Sequence, residues 1–451
     1  MAEILNPTKA LAVNPLKASQ PIGASLAFLG IAECMPLEHG ARGCTSFNKL
    51  FFMRHFNEPI PLQTTAMDQT TTVLGADGDV VEALATICKK NAPRVIGLVT
   101  TGLSEMQGAD VPRTIHEFRK AHPECADVAV VPVSASDTLG CLETGFAAAV
   151  EAIISTLVKR RPGAARKMPR QVNVLTSAML TPGDLEDLRL WIEAFGLTPI
   201  LLPDIGASLD GHLIEAGYST LTYGGVTRAE IESMGESAAT LVIGRSMNKA
   251  AELLKEQTGV SDWRFDQLIG LPAADAFTQA LVDISGLPVP PRLAGKRDQL
   301  TDAMVDCQFQ FGGARVGIAG DSDLVAALTE FFVGMGSNVI AAVASARAPR
   351  LADLPIENVI VGDLEDFETL VRASGADLIV TNSHGAEIAR RTGAAFLRAG
   401  FPIYDSYGAH AESWIGYGGA RRLIFDAANL LANHYQELRP YVSRYRQQAA
   451  E

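Results

Sequence analysis

Two hydrophobic patterns alternate along this chain: apolar residues at helical spacing, and short unbroken apolar runs of strand length. Pro21 suits the first turn of a helix, and Ile22, Leu26 and Leu29 give the segment after it one apolar face that should end near Gly30. Val80, Val81, Leu84, Ile87 and Cys88 share a side over 79–91, which predicts a second helix. A buried strand is expected over 94–101, followed by a loop over 102–108, a helix over 112–121, a strand over 128–133 and a helix over 145–158. Strand and helix in strict alternation build a parallel sheet covered by helices.

The pattern restarts twice. Residues 159–170, rich in Lys, Arg, Pro and Gly, read as a solvated linker. Beyond it a strand is expected at 172–175. Thr181 and Pro182 then open a helix with Leu185, Leu188, Ile192 and Phe195 inward, Gly196 ends it, and 199–203 returns as a strand. Thr227 and Glu230 have capping-box spacing, 240–243 is another strand, and the helix after it closes at Gly259. Pro288 to Pro291 mark a second boundary before a long helix through Cys307. A third set follows: strands at 314–319, 339–343, 359–361 and 377–380, a helix opened by Asp321, Ser322 and Asp323, another from Asp363, and a late helix over 425–438. The fold class expected is therefore α/β, with three Rossmann-like domains whose mainly parallel sheets are covered by helices. The expected boundaries are 1–168, 169–307 with the linking helix, and 308–451 with a C-terminal helical tail. No fixed-period repeat accompanies the similarity of plan.

At 451 residues the chain exceeds what one hydrophobic core normally fills. Its hydrophobic share of 47% and charged share of 20% describe a globular protein with much buried surface. The net charge of −13 argues against nucleic acid as a partner, since clustered Lys and Arg must neutralise phosphates there. It does not suggest a membrane surface either. The apolar stretch 22–34 follows Pro21 rather than a basic segment and is too short to span a bilayer, so a cytoplasmic protein is expected. Six cysteines, Cys34, Cys44, Cys88, Cys125, Cys141 and Cys307, are scattered without a Cys-x-x-Cys pair, which disfavours a disulfide scaffold.

Few stretches carry chemistry. Gly317-Ile318-Ala319-Gly320-Asp321 lacks the third glycine and the spacing of a dinucleotide loop, and no phosphate loop, Gly-x-Ser-x-Gly elbow or His-Glu-x-x-His is present. Cys44 follows Gly40 and Gly43, so a glycine turn could present its thiolate to an iron-sulfur cluster, with the apolar segment after it packed behind. A small buried hydrophobe is the other reading of such a cysteine. His39 reads either as a hydrogen-bond donor near a cluster or as a satisfied helix-end histidine. His384 reads as facing an interdomain cleft or as part of a polar turn capping the next helix. Asp68 and Glu105 are expected to be solvated loop residues.

Three stretches occur in an order that is specific: 14–24 (NPLKASQPIGA), His39-Gly40-Ala41-Arg42-Gly43-Cys44, and 398–405 (RAGFPIYD), with 64–69 and 100–105 adding to them. On these the chain resembles the nitrogenase component 1 β-chain family over nearly its whole length. The resemblance implies the component 1 fold. Where the catalytic β chain of that family binds an interface cluster through three cysteines, Ser19 and Gly102 stand at two of the positions and only Cys44 is kept. One thiolate cannot hold an eight-iron cluster. The resemblance to the biosynthetic branch therefore implies Cys44 as the metal ligand of this chain, on a 4Fe-4S cluster bridging to a NifE-like partner that supplies three cysteines in an α2β2 heterotetramer. It further implies a scaffold on which the iron-molybdenum cofactor precursor of nitrogenase, held mainly by the partner, is matured before transfer to apo-nitrogenase. The nitrogenase iron protein and other cofactor-assembly proteins are its expected partners, and no residue of this chain is expected to be catalytic. The alternative is the catalytic β chain of a divergent nitrogenase-like reductase.

Overall fold

The computed structural model describes residues 2–6, 9, 12–136, 138–159, 167–210 and 219–434. The N-terminal strand β1 (Glu3–Leu5) is followed by β2 (Cys34–His39), β3 (Gln63–Thr64), β4 (Val95–Thr100) and β5 (Ala129–Val133), of which the last four form one sheet in the order β3-β2-β4-β5. A second sheet, β7-β6-β8-β9, contains β6 (Met168–Leu175), β7 (Thr198–Leu202), β8 (Ser237–Ile243) and β9 (Asp262–Phe265). The third contains β10 (Arg315–Gly320), β11 (Asn338–Ala344), β12 (Asn358–Val361), β13 (Leu378–Thr381) and β14 (Ala395–Arg398) in the order β1-β12-β11-β10-β13-β14. Every strand pair within these sheets is parallel among the described residues.

Parallel sheets need cover on both faces, and the burial of β2 and β4 along their whole lengths shows it. Met35, Leu37, Ile96 and Leu98 face a core completed by Val80, Leu84, Ile87 and Phe118. Cys34, Val95 and Val99 face the opposite core, which continues without a break under all three sheets. The helices of this first unit are α1 (Gln20–Leu29), α2 (Arg42–Phe56), α3 (Gln69–Leu74), α4 (Asp77–Asn91), α5 (Gly102–Gln107), α6 (Val111–Ala121) and α7 (Leu142–Leu157).

Several elements differ from the sequence expectation. The loop expected over 102–108 is α5, opened by a capping box between Thr101 and Ser104. β1 sits at the edge of the third sheet, paired with β12, so the chain crosses from that sheet into the first before α1 begins. Asp363 fastens the crossing: its carboxylate accepts from the backbone N–H of Val13 and Asn14 and pairs with Lys9. β6 starts at Met168, inside the expected linker, whose residues 160–166 lie outside the described ones. The late helix runs Gly416–Asn433, nine residues earlier than expected, and residues beyond 434 lie outside the described ones. Glycines at 416, 418 and 419 hid its start.

Buried carboxyl groups join the three units. Glu143 of α7 accepts from the backbone N–H of Asp323 at 2.7 Å, at the start of the helix Ser322–Gly334. Asp323 accepts in turn from Ser246 N–H at 3.0 Å, beyond the end of β8. Asp184 takes the N–H groups of Trp414 and Ile415, just ahead of the last helix. The Glu143 bond satisfies a backbone donor that the start of the helix Ser322–Gly334 would otherwise leave orphaned.

Candidate metal centre

Because the strands of the first sheet run the same way, their C-terminal ends form one edge, where open α/β sheets place ligand-contacting loops. The sequence stretches singled out above meet there. Thr101 Oγ1 donates to His39 O at 3.0 Å, tying the turn after β4 to the turn after β2. Thr65 N–H donates to Glu38 O, and Met67 N–H to Gly40 O at 2.9 Å, so the 64–67 segment runs along the other side of the same turn. Ala135 N–H, beyond β5, donates to Thr100 Oγ1, and Gln20 Oε1 at the start of α1 accepts from Ser136 N–H. Gly40 is required by this convergence: a Cβ there would lie 2.7 Å from Thr101 Cγ2 and closer still to its hydroxyl.

Cys44 is the third residue of α2. The first turn of that helix contains no acidic side chain, so no carboxylate there offsets the positive end of the helix dipole. Cys44 is exposed, whereas the other five cysteines are buried. Burial, the largest cause in each case, pushes the Cys34, Cys88, Cys141 and Cys307 thiols up and away from the ligating form. The expected glycine turn is only half present. Gly43 is helical, and a Cβ added to it meets nothing within 4 Å.

The segment behind the thiol is two-faced. Thr45, Asn48, Phe52 and Phe56 are buried, while Phe47, Leu50 and Met53 are exposed at three-residue spacing along the outer side. Around the same sheet edge Val73 and Leu74 are 81% exposed and Met106 is 87% exposed. Apolar side chains gathered around one edge are the mark of a protein contact. The inner side of α2 is fastened at two levels. Asn48 donates to the carboxyl of Glu38, and His55 Nδ1 accepts from the Ile403 N–H at 2.9 Å while its ring lies against Phe401. The stretch 398–405, closed on itself by an Arg398–Asp405 ion pair, is thus the seat of α2 on the third sheet. Burial pushes His55 down to about 3, in keeping with an acceptor nitrogen that stays unprotonated.

The other expected residues divide. Ser19 is the N-cap position of α1 and Gly102 the first residue of α5, and neither carries sulfur. His39 is buried at the end of β2, bonded through Nδ1 to Thr65 Oγ1, and burial lowers its pKa. His384 lies in a short turn whose N–H is taken by Asn382, with its ring between Phe51 and Tyr404. Asp68, expected to be merely solvated, caps α3 through Thr71 N–H. Glu105 accepts from Thr100 and Ser134. Glu38, Asn48 and His55 were not anticipated; a glutamate directly after the apolar run Cys34 to Leu37 was the one available signal. Among the described residues no group of three or more His, Cys, Asp and Glu could hold a metal ion. A cluster on Cys44 must take its other ligands from outside this set.

A family model described as nitrogenase component 1 type oxidoreductase matches residues 19–432. The chain belongs to that family, and the three parallel sheets covered by helices are its architecture here. A solved structure of nitrogenase Cp1 at pH 6.5 superposes with a TM-score of 0.89 at 30% identity, covering 98% of both chains. Within the family its place is with the NifN proteins. The nitrogenase iron-molybdenum cofactor biosynthesis protein NifN of Klebsiella pneumoniae is 44% identical over 99% of this chain and 97% of its own length. The NifN protein of Nostoc sp. is 44% identical over 95% of each.

Proposed function

We propose that this chain is one subunit of a NifE-NifN-type scaffold on which the iron-molybdenum cofactor precursor of nitrogenase is matured before it passes to apo-nitrogenase. The observation that carries the reading is the exposed Cys44 thiol on the first turn of α2, a helix whose outer side also exposes Phe47, Leu50 and Met53. A soft donor at the positive end of a helix, with open space beside Gly43, suits a thiolate-ligated iron-sulfur cluster. Cys44 would supply one ligand of a 4Fe-4S cluster, and a NifE-like partner three. Metal binding would then be coupled to subunit assembly, because neither chain closes the site alone.

In this reading the chain works in the cytoplasm, in an α2β2 heterotetramer that receives the nitrogenase iron protein and other assembly proteins. It contributes a ligand, packing and a docking platform, and performs no turnover by itself. Its relatives are named as cofactor biosynthesis proteins, which favours the scaffold over a catalytic β chain. Serine and glycine at 19 and 102 support the same choice. The test is anaerobic co-purification with a NifE-like partner followed by iron quantification and EPR. The scaffold predicts a 4Fe-4S signal that appears only in the complex; an eight-iron interface cluster would instead establish the catalytic alternative.

A further inference from the structure

Among the described residues no side chain caps the start of α2. Its N-cap is Ala41, which has no side chain able to cap, and Ser46 bonds back to the Arg42 carbonyl of the same helix. One turn after Cys44, at the four-residue spacing that stacks side chains along a helix, stands Asn48. Asn48 Nδ2 donates to Glu38 Oε1 at 2.8 Å, and the same oxygen accepts from Ser25 Oγ of α1 at 2.9 Å. Glu38 and Ser25 are fully buried, and Asn48 is 7% exposed. Glu38 belongs to β2, the strand that ends in the turn leading to Cys44. Strand, turn and helix therefore form a closed loop from Glu38 to Asn48, pinned across its base by one hydrogen bond.

The structure assigns Glu38 and Asn48 as positioning residues for Cys44: the buried carboxyl of the strand fixes the turn of α2 that aims the thiol at its ligand. This rests on the proposed role of Cys44 as a cluster ligand. A buried glutamate in a parallel strand has no packing advantage over Leu or Val, and its side chain is costly to desolvate without partners. Here its bonds reach the helix that carries the thiol, and a ligand geometry held within fractions of an ångström needs such a support.

The test uses the co-purified complex, with iron content, the rate of iron release to a chelator, EPR line positions and unfolding temperature measured for Asn48→Ala, Asn48→Ser, Ser25→Ala, Glu38→Gln and Cys44→Ala. The Asn48 variants should release iron roughly tenfold faster, the scale of one lost buried hydrogen bond, and shift the EPR lines. Glu38→Gln keeps an acceptor for Asn48 and should keep the parent signal. Ser25→Ala removes a bond to the same oxygen without touching α2 and should leave both cluster readouts unchanged even if the unfolding temperature falls. Parent-like EPR and iron release in a folded Asn48 variant, or equal changes in Ser25→Ala, overturn the assignment alone. Full cluster content in Cys44→Ala overturns it together with the ligand reading beneath it.

Discussion

Replacing Glu143 by Gln and by Ala should separate hydrogen bonding from charge at the joint between the three sheets. Glu143 is buried on α7, and its Oε2 takes the Asp323 N–H at 2.7 Å. Burial first, and then the neighbouring carboxyl groups of Asp323 and Asp321, hold its pKa well above the usual carboxylate range. Asp321 and Asp323 are themselves raised, chiefly by burial, with Arg350 and Asp266 the further charges facing Asp323. Glu143→Ala orphans a buried N–H, at about 1–3 kcal/mol, and loses one buried methylene at about 0.8 kcal/mol. The expected loss is therefore about 2–4 kcal/mol. Glu143→Gln keeps an acceptor oxygen of the same shape and loses only the titration. The sign follows from proton counting: above pH 4.5 the unfolded glutamate is ionised while the folded one keeps its proton, so the folded state binds more protons and stability falls as pH rises. The slope is about 1.4 kcal/mol per pH unit until the folded carboxyl ionises. Denaturant unfolding of the complex at pH 5.5, 7 and 8.5 should show Glu143→Gln gaining on the parent as pH rises and Glu143→Ala well below both. Parallel pH profiles for the parent and the Gln variant, or equal losses in the two variants, would refute the reasoning.

His55 supplies the opposite slope. Its pKa lies near 3 in the fold against an ordinary 6.5, so the stability it contributes is complete above 6.5 and drains away as pH falls toward 3. His55→Leu should lose about 1–3 kcal/mol at pH 7 through the orphaned Ile403 N–H and show a flatter profile between pH 7 and 5, read by thermal unfolding. Gly40→Ala should displace Thr101 and lower the unfolding temperature by several degrees. Gly43→Ala meets no neighbour in this chain and should hold or slightly raise the stability of the isolated subunit, since alanine favours helix by about 1 kcal/mol.

Much of the architecture was legible because it is local. Thr181 and Thr227 do cap helices, through Asp184 and Glu230 N–H, and the buried runs of β4, β6 and β8 are strands. The helix α2 was harder to read. Gly40 ahead of it and Gly43 within its first turn signalled a turn, and exposed Phe47, Leu50 and Met53 blurred the inner stripe of Asn48, Phe52 and Phe56. A surface that is apolar without being buried in its own chain defeats a reading based on periodicity. The pairing of β1 with β12 and the reach of Glu143 to Asp323 join residues far apart in sequence, where no spacing rule applies. At the candidate site, Cys44 was visible through motif resemblance. Glu38 and His55, which hold its helix, could be assigned only once the helix had been placed against the sheets.

The central claim is that Cys44 is this subunit's ligand to a cluster shared with a partner. Its most direct measurement is the iron content and reduced EPR signal of the anaerobically purified Cys44→Ala complex beside the parent. The account predicts intact subunits with the 4Fe-4S signal lost or strongly reduced. An undiminished signal with full iron content would contradict it.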